Sequence, residues 1–198
     1  MAGGGLKSRR CSSVKQMAYG RPPCYGFPKS MPEPYEEQIG GEWLLRLPPR
    51  PSHEALCERL HLYMGRVVAS LRSTTLLPMR EQVALSDQHR FRPDLALVAS
   101  STGKLWLAVE VISQEDHHAD TVLKKMVYEE IHLARLWIVD PRYENVEVYH
   151  GNPYGLSLKE TLMVKETLAE PLLPGFVLPV TDLFHPPGGP AGTTARDF

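Results

Sequence analysis

A mixed α/β domain, with a central β-sheet flanked by helices, is the fold class this sequence predicts, on three observations. The run KLWLAVEVI, residues 104–112, is nearly all apolar with β-branched residues, as expected of a strand buried on both faces. HADTVLKKMVYEEI follows it with a helical period, Leu123, Val127 and Ile131 falling on one face. RLWIVD then reads as a second strand. Strand, helix and strand make a βαβ unit, whose two strands run parallel through a right-handed crossover.

The remaining elements are justified in chain order. Residues 1–32 are rich in Gly, Ser, Pro and Arg without an apolar period, and read as a disordered basic arm. Gly40-Gly41 is a turn, and EWLLRL after it is a strand. LPPRPS is a loop in which Ser52 is expected to cap the next helix. Leu56, Leu60, Met64, Val67 and Leu71 then recur at helical spacing. LPMREQVAL and PDLALV are strand-like, and SSTGK is a turn that folds PDLALV antiparallel against the 105–112 strand. RLWIVD and NVEVYH are joined by a turn over Pro141–Asn145. EPLLPGFVLPVTDLF packs apolar residues between prolines. The domain is expected over 33–184, with 185–198 as a flexible tail.

At 198 residues there is material for one domain with a core of its own. Cys11, Cys24 and Cys57 are scattered, with neither a disulfide framework nor a zinc spacing, so a reducing cytoplasm is the expected setting. No apolar run is long enough to span a bilayer. The net charge of −1 hides an asymmetry. Residues 1–32 carry six basic side chains and no acidic one, which leaves 16 basic against 23 acidic residues in 33–198. A dedicated DNA-binding protein is usually basic. Any nucleic-acid role must therefore rest on a local patch or on bound metal.

One residue breaks the apolar pattern. Glu110 lies inside the buried strand, where an unpaired carboxylate is costly. Alternation puts it on one face with Trp106, Ala108 and Ile112. Asp94 starts the neighbouring strand, and the hairpin brings it beside the end of the 105–112 strand. A divalent cation would relieve the repulsion of the two carboxylates, and Mg²⁺ needs only one or two such ligands beside its waters. Asp120, Lys124 and Tyr128 share one helix face, from which Lys124 can reach back over the carboxylates. Asp, Glu, metal and Lys together suit phosphodiester hydrolysis. The competing reading of Glu110 is a buried salt bridge to Lys124 or to an arginine. The cluster Glu115, Asp116, His117, His118 reads as a solvated helix start rather than a zinc site.

RPDLALV, AVEVIS, DTVLKKMVY, LWIVDP and VEVY, in this order, resemble the Uma-2 family of restriction endonuclease-like proteins, within the PD-(D/E)XK nuclease superfamily. YEEQIGGEWLLRLPPRPSH and PLLPGFVLPVTDLF resemble the family's opening and C-terminal segments, so the likeness covers residues 33–184. It implies a restriction endonuclease-like core and a DNA endonuclease dependent on Mg²⁺ or Mn²⁺. Asp94 and Glu110 fall on the family's metal ligands and Lys124 on its catalytic lysine. Glu37 and His53 fall on supporting positions, as contacts to the ligands or to metal-bound water. The superfamily's usual place for the lysine, two residues after the Glu, is Ile112 here. The family's Ser-Pro after the strand is Ser113-Gln114, and its glycine after the helix is His132. DNA is the expected substrate, no membrane is involved, and a homodimer is admitted. The alternatives are a nuclease-fold module that binds DNA or a protein without cutting, and a hydrolase of another small phosphoester.

Overall fold

A computed structural model describes Met1 and residues 33–113 and 122–187. The expected arm up to residue 32 and the tail beyond 187 lie outside these, apart from Met1, as do Gln114, Asp120 and the cluster 115–118. Every element below belongs to one compact unit, Pro32–Phe198.

The chain opens with β1 (Tyr35–Ile39) and β2 (Glu42–Arg46), an antiparallel hairpin in which Ile39 pairs with Glu42. Its two-residue turn, Gly40-Gly41, has φ of 60° and 84°. Positive φ at both positions matches the strand twist and suits glycine. α1 (Pro51–Val68) follows. It starts two residues earlier than expected, with Pro51 in the first turn and Arg50, not Ser52, at the N-cap. Proline is pre-set for that position, so Ser52 falls inside the helix and is not its cap.

LPMREQVAL is not one strand. Its first half is a loop around Pro78, and pairing is confined to β3 (Thr74–Leu76) and β4 (Val83–Ala84) on either side. Proline withholds a ladder donor, and Arg80 has φ of 53°, which a strand does not accept. β5 (Arg90–Phe91) pairs with β4 and with β1. β6 (Leu95–Ala99) and β7 (Leu105–Val111) form the expected hairpin. α2 (Lys124–Glu130) leads to β8 (Arg135–Asp140), which lies parallel to β7. β9 (Asn145–Asn152), β10 (Gly155–Leu162), β11 (Thr167–Ala169), β12 (Val177–Pro179) and α3 (Val180–Phe184) complete the unit.

The main sheet has six strands in the order β10-β9-β8-β7-β6-β3, mixed because only the β7–β8 pair is parallel. A small sheet, β2-β1-β5-β4, and the β11-β12 ribbon flank it. One face of the main sheet packs Leu97, Leu107, Val109 and Trp137 against Leu56, Leu60 and Met64 of α1. The other packs Ala96, Ala108 and Ile138 against Val127 and Tyr128 of α2 and against Phe91. The two faces carry different helices, which is why β7 reads as a continuous apolar run.

Trp106 does not share a face with Glu110. The β6–β7 ladder shifts register there, Leu97 pairing with Leu107 and Val98 with Leu105. A bulge puts two residues opposite one and breaks the alternation. Trp106 therefore packs on the α1 side, while Ala108 and Ile112 stay on the α2 side. At the end of α2, His132 has φ of 51°, a left-handed conformation that favours glycine. This is the position at which the family pattern carries glycine.

Candidate active site

Five elements converge on one narrow cleft, lined among others by Tyr35, Arg46, His53, Asp94, Glu110 and Lys124. β1 and β2 bring Glu37 and Arg46, and the first turn of α1 brings His53. The residue before β6 is Asp94, the last turn of ladder in β7 holds Glu110, and α2 begins at Lys124. Leu95 pairs with Val109, so Asp94 sits one step further along, level with Glu110.

The site divides into two linked halves. In the first, Lys124 Nζ lies 3.0 Å from Glu110 Oε2 and 3.0 Å from Glu37 Oε1. Tyr128 Oη donates to Glu110 Oε1 at 2.6 Å. Glu37 also accepts the Arg92 amide at 2.7 Å and ion-pairs with Arg46 Nε at 3.2 Å. Glu37, Glu110 and Lys124 are at most 1% exposed. Burial at this level is tolerable only because each charge has opposite charge and hydrogen bonds around it.

In the second half, His53 Nε2 is 2.8 Å from Asp94 Oδ1, and the Val111 amide donates to Asp94 Oδ2 at 2.8 Å. Burial alone would raise the Asp94 pKa. The charge and hydrogen bond of His53, the charge of Arg80 and the Val111 amide outweigh it and hold the carboxyl well below the usual range. Cys57, one turn after His53 on α1, is wholly buried, and burial followed by the charge and hydrogen bond of Asp94 pushes its thiol well up. It is a neutral thiol, not a nucleophile. Burial likewise raises Tyr35, against the pull of Lys124, and keeps it a neutral phenol.

The sequence expectations map onto this geometry residue by residue. Asp94, Glu110 and Lys124 line the same cleft, and Glu37, His53 and Tyr128 each touch one of them. Asp120 lies outside the described residues. The salt bridge weighed as the competing reading of Glu110 is present, with Glu37 as a second acceptor. Ile112 is packed in the α2-side core and carries no part of the site. Three residues were not foreseen: Arg46, Tyr35 and Cys57. Only Cys57 had a readable signal, its i+4 spacing from His53.

Residues 28–181 match the Uma2 family, described as "Putative restriction endonuclease". Among solved structures, the chain is similar to one described as a putative nuclease from Anabaena variabilis, with a TM-score of 0.64 and 18% identity, covering 80% of this chain and 93% of that one. That likeness speaks to the fold. No curated protein matches the chain.

Proposed function

This chain belongs to the Uma2 family, and on that premise we propose that it is a metal-dependent DNA endonuclease working in the cleft between α1 and α2. The observation that carries the reading is the placement of Lys124 Nζ, 3.0 Å from Glu110, in the cleft that Asp94 also lines.

The donors fit a hard divalent cation. Asp94 and Glu110 offer carboxylate oxygens, the hard donors such an ion takes. One or two carboxylates plus water is what Mg²⁺ takes, and Mn²⁺ accepts the same set. Asp94 and Glu110 would hold the ion, which when bound supplies Lewis acidity toward a phosphate oxygen and a more acidic water.

The chain's own residues do the rest. Tyr128 fixes the Glu110 carboxylate from one side and Lys124 from the other. His53 and the Val111 amide fix Asp94 in the same way. Glu37 anchors Lys124, so its ammonium is held at one point instead of sampling the cleft. A fixed ammonium stabilises negative charge developing on a phosphodiester without reorganising first. Arg46 adds a second positive group to the cleft wall. DNA supplies the phosphodiester, and the divalent ion would add positive charge that residues 33–198, with 16 basic against 23 acidic side chains, lack overall.

Plasmid nicking with Mg²⁺, with Mn²⁺ and with chelator tests this. Nicking is expected only with metal and is lost in Asp94→Asn, Glu110→Gln and Lys124→Met. One observation favours a module that binds without cutting: two carboxylates share the Lys124 charge. DNA retention without nicking under any metal would select that reading.

A further inference from the structure

The second half of the site has a donor chemistry that a Mg²⁺-type cation does not explain. A ring nitrogen of His53, the Cys57 sulfur and a carboxylate oxygen of Asp94 all lie within 4.8 Å of one another. Hard cations take oxygen, whereas sulfur with imidazole and one carboxylate is a set for zinc and similar ions. We propose that His53, Cys57 and Asp94 form a site for a thiophilic divalent ion of the Zn²⁺ class, and that its occupation takes Asp94 away from catalysis.

Local geometry supports it. His53 and Cys57 are four residues apart on α1 and so project from one face, one turn apart. Zinc bonds of about 2.0–2.3 Å in a tetrahedron put ligand atoms about 3.3–3.8 Å apart. The ligand atoms lie within 4.8 Å of one another, so on binding the sulfur draws in by up to about an ångström and the 2.8 Å contact between His53 and Asp94 opens by about half an ångström. Among the described residues the imidazole is held on the Asp94 side and not on the other, so the ring can turn to meet an ion. His53 is 8% exposed, yet its Nδ1 has no hydrogen-bond partner among the described residues. A buried polar atom of this kind ordinarily has one.

Access and closure also fit. His53 and Asp94 line the cleft, while Cys57 belongs to the α1-side core and closes the cluster from behind. An ion entering from the cleft would keep a water as its fourth ligand. On binding, the Cys57 S–H bond breaks, a sulfur–metal bond forms, and the proton leaves to solvent. His53 ligates as neutral imidazole and Asp94 as carboxylate.

Loss of catalysis on zinc binding rests on the nuclease reading, but binding itself does not. Co²⁺ is therefore the probe, because a thiolate ligand gives it a charge-transfer band whether or not the protein cuts DNA. Cys11→Ser/Cys24→Ser protein isolates Cys57. One equivalent of Co²⁺ is expected to give the band, and excess Zn²⁺ to abolish it. Adding Cys57→Ser should remove the band, and His53→Gln should weaken it. Should Cys57→Ser fail to fold by circular dichroism, Cys57→Ala replaces it, and His53→Gln reads the same band without touching the core. No band in the Cys11→Ser/Cys24→Ser protein, or a band that survives the loss of Cys57, overturns the site. If the protein nicks DNA with Mg²⁺, equimolar Zn²⁺ should suppress nicking in wild type and not in Cys57→Ser. Equal suppression in both overturns the coupling. A protein that never nicks but gives the band would refute the nuclease reading and leave the zinc site standing.

Discussion

Lys124 Nζ lies 3.0 Å from Glu110 Oε2, with each side chain 1% exposed. A charge pair so placed is sensitive to loss of either member, because the partner is left in a medium that cannot solvate it. Lys124 also serves Glu37 at 3.0 Å, so removing it takes a buried positive charge from two carboxylates at once, of which Glu37 keeps Arg46. Lys124→Met should therefore cost about 3–5 kcal/mol, the usual range for breaking a buried pair. Tyr128→Phe keeps the ring against Phe91 and loses the 2.6 Å bond to Glu110, at about 1.5–3 kcal/mol for a bond to a charged group. Urea denaturation of both variants checks the order. A Lys124→Met protein as stable as wild type would mean that the ammonium is not held where it is described.

Asp94 predicts a pH dependence. Its folded carboxyl is held below the ordinary value of 3.8 despite burial. A depressed carboxyl contributes stability in full above its unfolded pKa and loses it as pH falls toward the folded one. Wild type should thus be more stable than Asp94→Asn near neutrality, and the gap should narrow steadily as pH falls below about 4. Urea midpoints measured with chelator across that range give the gap directly. A constant gap would show that the mutation acts through packing and not through the charge.

How much of this was legible beforehand depends on where the information sits. The βαβ unit was readable because β7 and β8 are apolar over most of their length and buried on both faces. β10 was not, because GLSLKETL lies at the edge of the sheet and exposes most of its side chains, leaving no apolar alternation to detect. Trp106 was placed on the wrong face because a bulge is a property of the β6–β7 pairing, not of either strand alone. In the site, Asp94, Glu110 and Lys124 were found because each violates its local pattern or matches the ordered family pattern. Arg46 and Tyr35 depend on how the β1–β2 hairpin folds over the cleft, a tertiary relation with no local signal. Cys57 was read as one of three scattered cysteines, because its closeness to Asp94 comes from packing α1 on the sheet, where Cys57 joins the core.

The basic segment before Pro32 has no apolar period, and a chain with nothing to bury gains nothing by packing. A protein beginning at Met31 should melt at nearly the same temperature as the full chain. Differential scanning calorimetry of the two decides it; a large drop would place the domain boundary earlier than residue 33.

Metal binding and the salt bridge make separable demands on Glu110. In chelator, Glu110→Gln keeps the shape and one oxygen but loses the charge that Lys124 faces. Glu37 remains 3.0 Å from the ammonium, so the cost should be about 1–3 kcal/mol, below that of Lys124→Met. With Mn²⁺ at about a hundred times its dissociation constant, wild type should gain about 2.7 kcal/mol, because the ion binds the folded state alone. Glu110→Gln should gain little, since one of two carboxylate ligands is gone. Glu37→Gln is the control: it also weakens the hold on Lys124, but it removes no proposed ligand, and it should keep most of the increment. If Glu110 serves only the salt bridge, all three proteins respond to Mn²⁺ alike, and the differences seen in chelator persist with the ion. Thermal melts of the three, with ion and without, therefore assign Glu110 by the size of the metal increment, not by the loss of stability that both readings share.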